Sequence, residues 1–492
     1  MRALALVLLL GSVASYADYM DHFVIRDDVG VRKAPYLGPA EILVIPVEVA
    51  GHPTFDLAEL TRFFTSNDPD GFVKFHETAS LGRYKPHVTV APVVAHLSCP
   101  LPPQFTNCSV ARGDVSVFAA GIDFLRESVR LTDANGVDFS KLDVNGRRGT
   151  ADGWVDGVML ITNTPFGGIA FPFGYFNRGD NLAGGMGGPL VVDGVKIGHI
   201  AITGSRDQFS QVHEFGHLQG LTDLYDQSFS YPGLHFSLMG GCCSANLKLH
   251  DAESRFRLRW ADWHQVQGRQ RVRIGPAETT GEVWRLGVGD EYFLIENRGP
   301  GGVFDKQFTA RGLAVYHVDR RVKLKGDEGK FQDRILDGVN DDKWHPYILN
   351  LQADGLFELQ ASDAARPDYE NDLFRDGDAL GADSSGTPFS ADHPVASTNY
   401  YSGTPSGIFI SDITVTPEGP IDVTLEAPGA DQCNDRLCDE GVGCAPVTCE
   451  SPGAWKVGGC GCNVGAEGAL GLGLLLLLEQ RLRRRQQRVF RG

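Results

Sequence analysis

The sequence predicts an α+β protein: a first region in which helices and strands alternate, then a second built from short strands. Three observations carry this expectation. The stretch 41–49 (EILVIPVEV) reads as a buried strand, and helical periodicity follows at 57–64. From about position 275 that periodicity fades, and EYFLIEN, GLAVYHV and FISDITV read as short strands between Gly, Pro and Asp turns. The composition, 42% hydrophobic and 22% charged over 492 residues, is that of globular protein and excludes a disordered or fibrous chain.

Taken in order, the elements suggest six segments. MRALALVLLLGSVASYAD places Arg2 before an apolar run and small residues Ser15 and Ala17 at its end, the layout of a signal peptide over 1–17. A short segment, 18–39, leads to a first domain at 40–272, with further strands at 87–97 and 154–162. A β-rich domain is expected at 273–427, a Cys-rich linker at 428–462 and a hydrophobic, arginine-tipped tail at 463–492. Six of the ten cysteines fall between Cys433 and Cys462, which calls for an oxidising compartment. Two bridges are expected among Cys433, Cys438, Cys444 and Cys449, in a pairing that spacing does not fix, and a local one between Cys99 and Cys108.

Lys+Arg 45 against Asp+Glu 62 gives a net charge of −17, which repels phosphate backbones and argues against nucleic-acid partners. The apolar stretch 469–478 rises only about 15 Å as a helix, short of a hydrocarbon core of about 30 Å. Followed by Arg481, Arg483, Arg484 and Arg485, it suits a stop signal during export better than a permanent span. With Cys460 and Cys462 ahead of it, the tail resembles the myxobacterial C-terminal sorting tag. That resemblance implies processing at the cysteine motif and a place at the cell surface, with membrane contact only through the tail.

The chemistry concentrates in VHEFGHLQGLTD, 212–223. On a helix, positions four apart share a face about 6 Å along the axis, so His213 and His217 can hold one zinc, with Glu214 beside it as a proton acceptor from water. Such a site needs a third protein ligand. A continuous helix would turn Asp223 away, but Gly220 can take the left-handed conformation, end the helix and swing Asp223 back. Asp251 and Glu253, on the next helical stretch, are the alternatives. Met239, in the glycine turn SLMGG, can form an apolar floor beneath the metal.

Other clusters are weaker. Asp143, Asn145, Asp152 and Asp156 offer oxygen ligands on a glycine-rich turn that would suit calcium in a structural role, although Arg147-Arg148-Gly149 interrupts the spacing; an Asx-rich turn is the rival reading. Cys242-Cys243 can each bridge elsewhere, pair with one another, or cap the zinc as a thiolate. Tyr225, Tyr231 and His235 lie near the motif and read as packing or surface groups, and His317 with Asp319 as packing groups on one strand face.

HEFGHLQGLTDLYD followed by SLMGG resembles the immune inhibitor A family of secreted zinc metallopeptidases, within the metzincin clan. FVKFHETASLGRYKPHVTV, VDFSKLD, ADGWVDGVMLI, YFLIENRGPGGVFDKQFTARGLAVYHVD and LQADG extend the resemblance over about 40–425. It implies a twisted mixed sheet carrying the site helix, Asp223 as third ligand, Met239 in a methionine turn, and an all-β sandwich-like domain after the catalytic unit. The expectation is therefore an exported zinc endopeptidase acting on proteins or peptides, and a monomer. A zinc-bearing surface adhesin that has lost turnover is the alternative, against which the intact Glu214 speaks. A non-peptide hydrolase or deaminase would share the zinc and glutamate but gives no reason for the methionine turn.

Overall fold

The computed structural model describes residues 34–428, apart from the internal segments 98–114, 147–148, 164–167, 173–188, 205–207, 226–233, 235, 241–246, 307, 323–339, 341, 358–359, 361–370 and 417–418. The signal-peptide segment, the linker, the tail and all ten cysteines lie outside the described residues, as do Arg147, Arg148, Tyr231 and His235. Among the described residues, the chain is α+β, and no helix is long and apolar enough to cross a membrane.

Strand β1 (Gly38–Val49) organises the first region. It pairs in parallel with β2 (Tyr84–Val90) on one side and with β4 (Gly157–Thr162) on the other, while β3 (Val94–Leu97) extends the pairing at its end. β5 (Gly168–Pro172) closes the edge as the antiparallel partner of β8 (His199–Gly204), giving the order β2-β1-β4-β8-β5. The hairpin β6 (Leu190–Val192) and β7 (Val195–Ile197) stands apart. The expected strand at 87–97 is interrupted at Ala91-Pro92-Val93, where proline has no N–H to give to a ladder.

Because the sheet is covered on both faces, β1 reads as a continuous apolar run rather than an alternating one. Ile42 and Val44 face one core with Met159, Ile161 and Ala201; Leu43, Ile45 and Val47 face the other with Val158, Leu160 and Ile202. Helix α1 (Leu57–Thr65) is capped by the Asp56 side chain, which accepts from Glu59 N at 3.0 Å. It buries Leu60, Phe63 and Phe64, and α2 (Phe72–Ala79) adds Phe72 and Phe75 to the same core. The long helix α3 (Val115–Ala134) covers the opposite face with Phe124, Leu125 and Val129.

On the first face, α4 (Gln208–Leu218) follows directly from β8, and α5 (Ala252–Arg257) comes after it in the chain. Two antiparallel systems follow. The first has the order β14-β13-β12-β11-β9, from Ile348–Leu351, Gly312–Asp319, Glu291–Arg298, Glu282–Leu286 and Asp262–Gln265; its β9–β11 pair alone is parallel. The second joins β10 (Gly268–Ile274), β16 (Ile421–Ala427) and β15 (Phe409–Val415). Alternate residues of β12 face opposite ways: Tyr292 and Leu294 join the core that holds α1, α2 and α4, whereas Phe293 and Ile295 meet Ile274, Ile410, Val423 and Leu425 of the three-stranded sheet. The boundary expected at 272/273 thus falls inside β10, and one apolar core continues across it.

Candidate metal centre

Every residue of α4 from Phe209 to Leu218 is buried, so the helix carrying HEFGH runs through the interior. Gln211 Nε2 ties its first turn to Gly204 O at 2.9 Å, at the end of β8. Gly216 lets the helix approach the loop that follows: a Cβ there would stand 3.0 Å from Met239 Sδ.

Gly220 ends the helix with φ +93°. Leu221 N donates to Gly216 O at 3.0 Å and Gly220 N to His217 O at 2.9 Å, the paired bonds of a Schellman C-cap with glycine in its left-handed position. Ala34 N donates to Leu218 O at 2.7 Å, so the start of the described chain satisfies one more terminal carbonyl. The chain then doubles back and delivers Asp223 to the histidines.

His213 and His217 stand with ring centroids 4.8 Å apart and planes at 88°. His213 Nδ1 is 3.1 Å from Leu238 O, and His217 Nδ1 is 2.9 Å from Leu221 O. A carbonyl can only accept, so both Nδ1 atoms carry the proton in the neutral rings and both Nε2 atoms turn their lone pairs inward. Asp223 Oδ1 lies 3.0 Å from His213 Nε2 and 3.4 Å from His217 Nε2. Glu214 Oε2 is 4.0 Å from His217 Nε2. All four residues are buried, none more than 5% exposed.

The electrostatics fit a cation. Burial alone would lower the His217 pKa, but the Asp223 carboxylate, then Glu214 and the Leu221 carbonyl, raise it to about 10. Burial would raise the Asp223 carboxyl, yet the two imidazoles hold it well below the usual carboxylate range. Asp223 Oδ2 is buried with no hydrogen-bond partner. Such an orphaned group costs about 1–3 kcal/mol unless something else engages it. Ligand atoms around a tetrahedral zinc at about 2.0–2.1 Å stand about 3.3 Å apart, close to the spacing of the two Nε2 atoms from Asp223 Oδ1. Among the described residues, His213, Glu214 and His217 form the group of three that could hold a metal ion, their donor atoms within 4.8 Å of one another. Asp223 meets the same point through its contacts with both rings.

Met239 is fully buried in the turn Leu238–Gly240, its sulfur against the helix at Gly216. Gly240 belongs there because a Cβ would lie 1.8 Å from Leu234 O. Tyr225 stacks near His213, centroids 6.3 Å apart at 27°. The alternative ligands are engaged elsewhere. Asp251 caps α5, accepting from Ser254 N at 2.9 Å, and Glu253 accepts from Tyr292 and Tyr347 hydroxyls at 2.8 and 2.7 Å.

The acidic loop is braced from within. Asp143 accepts from Asp152 N at 2.8 Å and Gly153 N at 2.6 Å; Asp156 accepts from Glu41 N at 3.0 Å and Asn145 N at 3.1 Å. Asn145 Nδ2 donates to Leu37 O at 2.6 Å and to Pro39 O. Carboxylate oxygens aimed at backbone amides, with an amide nitrogen turned onto carbonyls, are the bonding of an Asx-braced turn. His317 is sandwiched between Phe293 and Tyr401 and pairs with Glu291 at 3.0 Å, while Asp319 takes Arg321 at 2.8 Å and His345 at 2.9 Å. Both are packing groups in a saturated cluster.

Sequence reasoning missed Ser237 and the carbonyls of Leu221 and Leu238, which orient the site. A carbonyl is common to every residue and carries no sequence signal; Ser237, two places before Met239, was the one visible clue. Compared with protein-family models and with curated proteins, the chain matches none.

Proposed function

We propose that this chain is an exported zinc endopeptidase of metzincin type, similar to immune inhibitor A. The observation that carries the proposal is the convergence of two Nε2 lone pairs and the Asp223 carboxylate on one buried point beside Glu214. His213, His217 and Asp223 would hold the zinc. When bound, zinc supplies Lewis acidity that polarises a peptide carbonyl and makes water more acidic, toward a pKa of about 7.

Glu214 accepts the proton of the attacking water and returns it to the departing amine, so the peptide C–N bond breaks as a C–O bond forms. Its place one residue after His213 puts the carboxylate at the edge of the ligand set rather than at its centre. Leu238 O and Leu221 O keep the Nδ1 protons in place and the rings oriented. The strands from β10 (Gly268–Ile274) to β16 (Ile421–Ala427) complete the reading as a sandwich-like β domain, and the tail after Cys460 and Cys462 as a surface-sorting device.

The test is cleavage of casein by the purified full chain, with and without a chelator and with zinc restored. Chelator-sensitive cleavage recovered by zinc is expected. Cleavage indifferent to the chelator refutes zinc hydrolysis, and stoichiometric zinc without cleavage of any protein points to a binding role.

A further inference from the structure

Resting on the reading that His213 ligates zinc, we infer that the Ser237 hydroxyl, held by Asp251, is a positioning group that sets the His213 imidazole through the carbonyl of Leu238. The three links are on hand. His213 Nδ1 lies 3.1 Å from Leu238 O. The turn that aims this carbonyl is pinned by Ser237 Oγ, which accepts from Met239 N at 3.1 Å. The same hydroxyl donates to Asp251 Oδ2 at 2.7 Å, and all of these groups are buried. Ser237 therefore spends its one proton on Asp251 and a lone pair on the backbone amide that follows Leu238.

Asp251 can serve as an anchor because its helix cannot slide. Its other contacts cap α5, from Ser254 N at 2.9 Å and Ser254 Oγ at 2.7 Å. Along that helix Glu253 takes the hydroxyls of Tyr292 and Tyr347, and Arg255 pairs with Glu296. These partners lie on β12, beside β14 and again on β12. The five-stranded sheet thus holds α5, α5 holds Ser237, and Ser237 aims the carbonyl that fixes one imidazole. The β-rich region becomes part of the foundation of the metal centre.

Losing a partner that orients a metal-bound histidine weakens metal affinity about 10- to 100-fold, and a group one step further out belongs at the lower end. Zinc affinity of the full chain would be measured by competition with a chromogenic chelator, with melting temperature and the visible spectrum of the cobalt-substituted protein recorded alongside. Ser237→Ala should bind zinc about tenfold more weakly and shift the cobalt bands, while Ser237→Thr, which keeps the hydroxyl, restores most of the affinity. Asp251→Asn should fall between, and gives the reading if Ser237→Ala does not fold. Phe124→Leu, in the core on the opposite face of the first sheet and outside this chain of contacts, should lower the melting temperature and leave zinc affinity unchanged. Equal zinc affinity in wild type and Ser237→Ala, or an equal loss in Phe124→Leu, overturns the inference. A wild-type chain that takes up no zinc is a different result and overturns the proposed function itself.

Discussion

Gly220→Ala is the substitution whose cost can be worked most directly from the backbone. Gly220 has φ +93°, where an L side chain is strained, by about 1–2 kcal/mol for the left-handed region. The strain can be borne with the cap intact, which lowers stability by that amount. Otherwise the last turn of α4 unwinds, which frees the Leu221 carbonyl from His217 and withdraws Asp223. In that case the same energy appears as zinc affinity, weakened about 5- to 30-fold. Chelator competition together with chemical unfolding of the zinc-loaded chain measures both, and Gly220→Asn should cost less than Gly220→Ala because Asn tolerates the left-handed region better. If both variants match wild type in zinc affinity and in unfolding midpoint, the helix does not end in this cap and Asp223 is not delivered by it.

Asp223→Asn should weaken zinc binding more than about 100-fold, since it removes a ligand rather than its support; near-normal affinity in the same chelator competition would exclude Asp223 from the ligand set. Gly240→Ala should cost about 3 kcal/mol or more, because the added Cβ meets the Leu234 carbonyl, and a melting temperature close to wild type would contradict the turn geometry. In the metal-free chain the His217 pKa is raised to about 10, so its pairing with Asp223 stabilises fully below the unfolded value near 6.5 and is lost as pH rises through about 10. Zinc bound as proposed would displace that proton. Calorimetry in buffers of different ionisation enthalpy should find about one proton released per zinc at pH 8, and no release would contradict the assignment.

Much of the site was legible because its spacing is set by helix geometry. His213 and His217 share a face at any four-residue separation, and Gly220 signals the turn that makes Asp223 a neighbour rather than a residue on the far side. Strand β1 and helix α1 were legible for a similar reason: both faces of β1 are buried, and Leu60, Phe63 and Phe64 repeat at helical intervals. Helix α3 was not anticipated; it opens with Val115, Val117 and Phe118, types that favour strands, and tertiary packing decides its state. The extent of the β-rich part was misplaced at its start, because β9 and β10 form through partners far along the chain, at 282–286 and 421–427. The spacing at Asp143–Asp156 carried no sign of the amide contacts that its carboxylates make, because these depend on side-chain direction alone.

The most direct test of the central claim is metal content and casein turnover measured together on the full chain and on Glu214→Gln. About one zinc per chain in both, with turnover lost about 100-fold or more only in Glu214→Gln, is the expected result. A wild-type chain without zinc, or a Glu214→Gln chain that still cleaves at the wild-type rate, would contradict it.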